Sequence, residues 1–252
     1  MIHRLPVARA FPDRRWVDTP EGGVGHHLAM SLPDLERFAG FPERAFSFYE
    51  GLGADNSKAY WTDHRSAYDE CVAAPMRALL AELAPEFGEA KFFRPYRDVR
   101  FSRDKTPYKT QAAAVVHGDG PADGVLYVAL SADGLYLAGG YYMTATDQAQ
   151  RLRAAIADDR SGLALVAILD ALRADGWEVG GGQLKRVPKP WDETHPRADL
   201  LPFKSLTASR GYPPDELLPS PAAKDLVAAG WRQLGPLNAW LRDHVGPSRS
   251  AR

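Results

Sequence analysis

Hydrophobic residues recur at three- and four-residue intervals once the first forty residues of the chain are passed. This spacing places apolar side chains on one face of a helix. A first helix is predicted over residues 42–52, and a second begins at Asn56 or Ser57, either of which can cap it. Pro75 at a first helical position and Gly88 as a terminator bound a third helix. The pattern predicts three short helices before any strand.

Alternation of apolar and polar residues dominates the middle of the chain. It covers four stretches, which are residues 90–102, 110–117, 125–132 and 135–143. The last two are joined by Asp133-Gly134, and an Asp-Gly pair between apolar runs is a strong signal for a two-residue hairpin turn. Strands joined in this way pair antiparallel. An antiparallel sheet is therefore predicted here.

Helical spacing returns after these strands. Two helices are predicted over residues 148–159 and 163–176, with Ser161-Gly162 between them. A further helical stripe runs from Pro221 towards the end of the chain. Pro236 lies inside it, and we expect a kink or a split there, because proline lacks a backbone donor and clashes with the preceding turn.

The remaining elements between these helices are short. The pattern predicts a strand pair at residues 177–179 and 183–188, a helix that begins at Pro196, and a strand over residues 204–210. Helices, then strands, then helices again indicate an α+β fold. We expect a central antiparallel sheet with helices packed on one or both of its faces.

Length and composition favour one main domain. A chain of 252 residues with 45% hydrophobic content can bury one sizeable core. Residues 1–32 are rich in proline and glycine without a sustained period, so an irregular N-terminal extension is predicted. A single α+β domain is then predicted over residues 33–247, followed by a disordered tail at 248–252.

Cysteine usage and hydropathy bear on the compartment. Cys71 is the single cysteine, so an internal disulfide is impossible, and this fits a reducing compartment. The first residues are charged and contain proline, which is atypical of a signal peptide, and no stretch approaches 18 apolar residues. A cytoplasmic protein without membrane partners is predicted.

Positive charge is concentrated in one part of the chain, residues 94–109, which we call the basic segment. The whole chain has 31 Lys and Arg against 32 Asp and Glu, so its net charge of -1 argues against a general affinity for nucleic acid. The basic segment has only two carboxylates, Asp98 and Asp104. Its cationic side chains are Arg94, Arg97, Arg100, Arg103, Lys105 and Lys109.

If residues 93–103 form one strand, the two faces of that strand differ. One face is mostly apolar, and the other carries a row of polar side chains, namely Arg94, Tyr96, Asp98, Arg100 and Ser102. Three explanations remain open for this row: an internal network of ion pairs, contact with solvent, or a ligand site. The loop that follows adds Lys105, Tyr108 and Lys109, and clustered cations at a strand end can hold a phosphate or a carboxylate.

Two residues are candidates for proton transfer. Asp98 lies among cations, which would keep its carboxylate ionised. His195 lies in a second basic stretch, residues 185–199, and histidine is suited to proton transfer near neutral pH. No spacing fixes a metal site, no cofactor is indicated, and the phosphate-loop, hydrolase and metalloprotease motifs are missing. Whether the two basic stretches meet in space cannot be read from the sequence.

The longest motif in the chain is FRPYRDVRFSRDKTPYKT, which spans the basic segment. It is preceded by NSKAYWTDHRSAY and followed by LYVALSADGLYLAGGYY, LKRVPKPWDETHP and ADLLPFKSL. With these stretches the chain resembles the conserved hypothetical family catalogued as domain of unknown function 2461, over residues 35–245. The family has no established activity, so the resemblance implies no mechanism.

Three functions are compatible with these residues. The first is binding of an anionic small molecule in a pocket, with possible catalysis, through Arg94, Tyr96, Arg97, Arg100, Arg103, Lys105, Tyr108 and Lys109. The second is binding of nucleic acid or an acidic protein on an open surface, with Tyr96, Tyr108 or Trp191 as stacking platforms. The third is a structural role in assembly. A flat basic surface in place of a pocket would favour the second function.

Overall fold

A computed structural model describes residues 37–100, 102–117, 124–142 and 144–248 of the chain. The predicted extension at residues 1–32 lies outside the described residues, as does all of the predicted tail except Ser248. The described residues belong to one compact unit.

A six-stranded antiparallel sheet forms the centre of this unit. Its strand order is β1-β2-β3-β4-β6-β5, so β1 and β5 are the two edge strands. The predicted hairpin joins β3 to β4, but its two-residue turn is Ala132-Asp133, because Gly134 already pairs with Ser131 as the first residue of β4. The strands are β1 (Ala90–Phe92), β2 (Gln111–His117), β3 (Val125–Ser131), β4 (Gly134–Tyr141), β5 (Glu178–Gly180) and β6 (Leu206–Tyr212).

Helices precede and follow the first four strands in sequence. They are α1 (Glu43–Ala54), α2 (Lys58–Asp63), α3 (Arg65–Tyr68), α4 (Ala74–Phe87), α5 (Thr146–Ala157), α6 (Asp159–Ala174) and α7 (Ala222–His244). The longest, α7, packs against β4 and β3. Residues such as Ala114, Leu130 and Leu137 bury one face of the sheet in a continuous core with the helices. The predicted α+β class is confirmed.

Two predicted helix boundaries are wrong. No break occurs at Pro75, because a π-helical turn (Asp69–Ala73) joins α3 to α4. The backbone N–H of Ala74 donates to the carbonyl of Asp69. This wider turn lets the helix continue past Pro75, which has no backbone N–H to donate. The boundary between α5 and α6 lies at Asp158, whose carboxylate caps α6 by accepting from Ser161 N at 2.9 Å.

Three further parts of the structure beyond α6 differ from prediction. Helix α7 is not split at Pro236, because buried residues on both sides of it, including Trp231 and Trp240, hold the helix against the rest of the core. Pro196 begins a series of turns in place of a helix. Finally, β5 pairs with β6, and residues 183–188 form no strand.

Within the described residues, no helix combines the length and the apolar character needed to cross a membrane.

Candidate functional site

The backbone of the basic segment differs from the predicted strand. Strand β1 ends at Phe92, and the chain then turns back on itself as an irregular hairpin. Arg97 N donates to Pro107 O at 2.9 Å, and Lys109 N donates to Pro95 O at 2.8 Å. Pro95 and Pro107 have no backbone N–H, so each can accept but not donate, and a regular ladder cannot form between the two arms.

Side chains of the basic segment nevertheless alternate in exposure as a strand would. Arg94, Tyr96, Asp98 and Arg100 are exposed. The residues between them are partly buried. The polar row therefore faces solvent, which was one of the three explanations left open. Ser102 departs from the row, because its Oγ is buried and has no hydrogen-bond partner among the described residues.

Both carboxylates of the basic segment are engaged within it. Asp98 accepts from the Arg100 guanidinium at 2.7 Å, and this bond lowers the pKa of Asp98 to about 2. Asp104 accepts from Thr106 N and from the Arg97 guanidinium, which lower its pKa to about 2. Lys105 Nζ donates to Val99 O at 2.8 Å. A carboxylate with such a low pKa is a weak base, so Asp98 is poorly suited to accept a proton at neutral pH.

Asn56 holds the basic segment from the loop that precedes α2. Its side-chain amide donates to the carbonyl of Tyr108 and accepts from the N–H of Tyr108, both at 3.0 Å. The two groups lie 52 residues apart in the chain. The neighbouring Ser57 caps α2 by accepting from Tyr60 N at 3.1 Å, so of the two predicted caps, Ser57 is the one that forms.

An aromatic cluster attaches the basic segment to α2 and α3. The rings of Trp61 and Tyr108 stack with centroids 4.4 Å apart and an interplanar angle of 9°. Tyr96 packs against both rings, at 6.0 Å from Trp61 and 5.4 Å from Tyr108. Tyr108 is 5% exposed and Tyr96 is 45% exposed. Tyr96 is therefore the tyrosine of this pair that can contact a ligand.

Further cations approach this cluster from the helices. The Arg65 guanidinium lies over the Trp61 ring at 5.8 Å and forms an ion pair with Asp69 at 2.8 Å. Arg77 lies over the Phe92 ring at 5.7 Å. Burial raises the pKa of Tyr68, between these arginines in sequence, to about 12. No sequence signal assigns Arg65 or Arg77 to the site, because only their tertiary placement brings them towards the basic segment.

His195 lies in another part of the fold. The basic segment leaves the β1 edge at the end of the sheet where β2 begins, whereas residues 181–205 join β5 to β6 at the opposite edge and the opposite end. His195 Nδ1 accepts from Arg197 N at 3.0 Å. Arg197 is buried, and its guanidinium donates to Ile156 O at 2.6 Å. The 185–199 stretch therefore does not join the basic segment in one site.

Two surface cavities lie elsewhere in the described residues. One, of about 370 Å³, lies between α6 and α7 and is lined by Ile168, Leu172 and Pro236 among others. The other, of about 360 Å³, lies between α1 and residues 214–219, with Glu43, Asp215 and Glu216 in its lining. Neither is lined by a residue of the basic segment. The pocket expected for binding of a small anion is therefore not one of these cavities.

Comparison with known proteins gives one result. A profile of the family described as "Conserved hypothetical protein (DUF2461)" matches residues 44–240, which include most of α1, the whole sheet, the basic segment and most of α7. No curated protein and no solved structure matches the chain. The family resemblance inferred from the FRPYRDVRFSRDKTPYKT motif is confirmed, and the chain belongs to the conserved hypothetical family DUF2461.

Proposed function

We propose that the basic segment binds a phosphate-bearing polyanion on an open surface. One observation carries the proposal: this exposed hairpin holds six cationic side chains against two carboxylates, and both carboxylates already accept hydrogen bonds from within it. The charge of the segment is therefore positive by four in a protein whose net charge is -1. A local excess of this kind attracts anions that the protein as a whole does not.

The hairpin is also held in a fixed shape before any ligand arrives. Asn56 binds the backbone of Tyr108, Tyr108 stacks on Trp61, and Arg97 joins the two arms through Asp104. Less conformational entropy is lost on binding when the contacting groups are already ordered. A preorganised cationic surface therefore binds a ligand at a lower entropic cost.

The open geometry favours a polyanion over a single small anion. Arg94, Arg103 and Lys105 are exposed, and each can approach a separate phosphate. A single exposed ion pair contributes only about 0.2–1 kcal/mol, so useful affinity requires several contacts at once. An extended ligand with repeated phosphates supplies them, whereas a small anion outside a pocket does not.

The test is calorimetric titration of the full chain with inorganic polyphosphate at low and at moderate salt. We expect binding that weakens with salt. The triple variant Arg94→Ala, Arg103→Ala, Lys105→Ala should bind about tenfold more weakly or worse. The control triple Arg44→Ala, Arg160→Ala, Lys185→Ala removes equal charge from exposed positions elsewhere and should bind almost as wild type does. No binding, or equal losses in both triples, would overturn the proposal.

A further inference from the structure

We infer that the polyanion is a single-stranded nucleic acid whose base stacks on Tyr96, an inference that rests on the proposed function. Among the described residues, Tyr96 is the aromatic side chain of the basic segment with the greatest exposure, at 45%. Tyrosine is intermediate in burial in soluble proteins, so it is the position of this exposed ring among cations that points to a ligand. A flat ring beside phosphate-binding groups is the common platform for an unpaired base.

Tyr96 is held so that one part of its ring stays available. Its backbone forms an antiparallel bridge with Tyr108, which fixes its position in the hairpin. Its ring rests against Trp61 and Tyr108 at tilted angles of 53° and 45°. Those two contacts hold the ring in place, and Tyr96 remains 45% exposed. This exposed part is where the base stacks.

Cations from two elements belong to the same surface as this ring. Arg94 and Arg100 belong to the same exposed row of the basic segment as Tyr96. Arg65 approaches from α3, close enough to act electrostatically on the phenol of Tyr108, against which Tyr96 packs. Asp98 binds Arg100 and Asp69 binds Arg65, so two carboxylates balance two of these three positive charges. The surface keeps a net positive charge beside an aromatic ring, as binding of a nucleotide chain requires.

Base stacking on Tyr96 distinguishes a single-stranded nucleic acid from other polyanions. Inorganic polyphosphate and acidic peptides can use the arginines, but they have no flat ring to place on Tyr96. In a duplex the bases are already stacked and paired, so their faces are unavailable. A single strand offers phosphates and unpaired bases together. One base–aromatic stack contributes a measurable part of the binding free energy.

The experiment measures fluorescence anisotropy of a labelled oligothymidylate with the full chain, beside an abasic oligonucleotide of equal length. We expect wild type to bind the oligothymidylate more tightly than the abasic strand. Tyr96→Ala should weaken oligothymidylate binding about 5- to 150-fold, the value of one stacked base, and leave abasic binding unchanged. Tyr96→Phe keeps the ring and should bind as wild type does. Thermal melting of each variant establishes that it is folded.

The outcomes separate this inference from the proposed function. Equal affinity for the oligothymidylate, the abasic strand and polyphosphate, with no effect of Tyr96→Ala, would overturn the nucleic-acid inference and leave polyanion binding intact. Tighter binding of a duplex of the same length would overturn the choice of a single strand. If the oligothymidylate, the abasic strand and polyphosphate all fail to bind, both the nucleic-acid inference and the proposed polyanion binding are overturned.

Discussion

Asn56→Ala is the change that most sharply tests how the basic segment is held. The substitution removes the amide that donates to the carbonyl of Tyr108 and accepts from its N–H, both at 3.0 Å. Tyr108 is 5% exposed, so its backbone groups have little access to water as a replacement. The carbonyl and the N–H of Tyr108 would both be left without this partner in a partly buried environment.

The magnitude follows from those two bonds. An intramolecular hydrogen bond contributes about 1 kcal/mol net, and a buried group left unpaired costs about 1–3 kcal/mol. We therefore expect Asn56→Ala to lower the free energy of unfolding by about 2–4 kcal/mol. For a chain of this size that corresponds to a fall in Tm of roughly 4–16 °C.

Ser57→Ala is the matched control for this prediction. It removes one capping bond, Tyr60 N to Ser57 Oγ at 3.1 Å, from the same loop and should cost about 1 kcal/mol. The assay combines thermal melting with hydrogen exchange of the backbone amides of Tyr108, Arg97 and Lys109. Exchange at these amides should quicken in Asn56→Ala and not in Ser57→Ala. A loss of stability no larger than that of Ser57→Ala, with unchanged exchange at Tyr108, would refute the reasoning.

Three other predictions concern packing and charge. Gly51→Ala should destabilise by about 1–3 kcal/mol in chemical denaturation, because the new Cβ would lie 2.1 Å from the Tyr60 hydroxyl. Gly53→Ala, on the same helix with open space around it, should stabilise by up to about 1 kcal/mol, and the opposite order would contradict the packing. Arg197→Met should cost about 2–4 kcal/mol in the same assay, since the carbonyls of Ile156 and Ala157 lose their donor; a neutral result would contradict its role. Because their pKa values are depressed to about 2, Asp98 and Asp104 contribute stability above pH 4 that is lost as the pH falls towards 2. Carboxyl-carbon NMR should give midpoints near 2, and midpoints near 4 would mean that the ion pairs are absent.

Much of the fold follows from local patterns. Alternation identified the central strands, and Asp133-Gly134 predicted their hairpin to within one residue, because turn chemistry and side-chain period are both properties of neighbouring residues. The same alternation predicted a strand over residues 93–103, but although exposure alternates over residues 94–100, no regular ladder forms there. Pro95 and Pro107 were the signal that paired strands could not continue.

Helix boundaries depended on contacts that the local pattern does not contain. Pro75 and Pro236 both looked like interruptions, yet a π-helical turn accommodates the first and buried residues on either side hold the second within one helix. Pro196 has the local chemistry of a helix start, but the backbone around it is fixed by buried Arg197, which binds carbonyls at the end of α5. Tertiary packing decided each of these cases.

The sequence predicted which residues of the basic segment make up the candidate site, but not the tertiary contacts that hold them. Its cations and Tyr96 lie in one stretch of sequence, so their clustering was visible. The amide of Asn56 on Tyr108 and the approach of Arg65 join residues that are distant in sequence, and no spacing rule relates them. The separation of His195 from the basic segment likewise follows from sheet order, which depends on the whole topology.

The most direct test of the account is an NMR titration of the isotopically labelled full chain with an oligothymidylate. If the basic segment is the binding surface, the largest backbone shift changes should fall on residues 94–109 and on Trp61 and Arg65 beside them. Residues 185–199 and the linings of the two cavities should move little. Changes centred on either of those regions, or none at saturating ligand, would contradict the central claim that the basic segment binds anions.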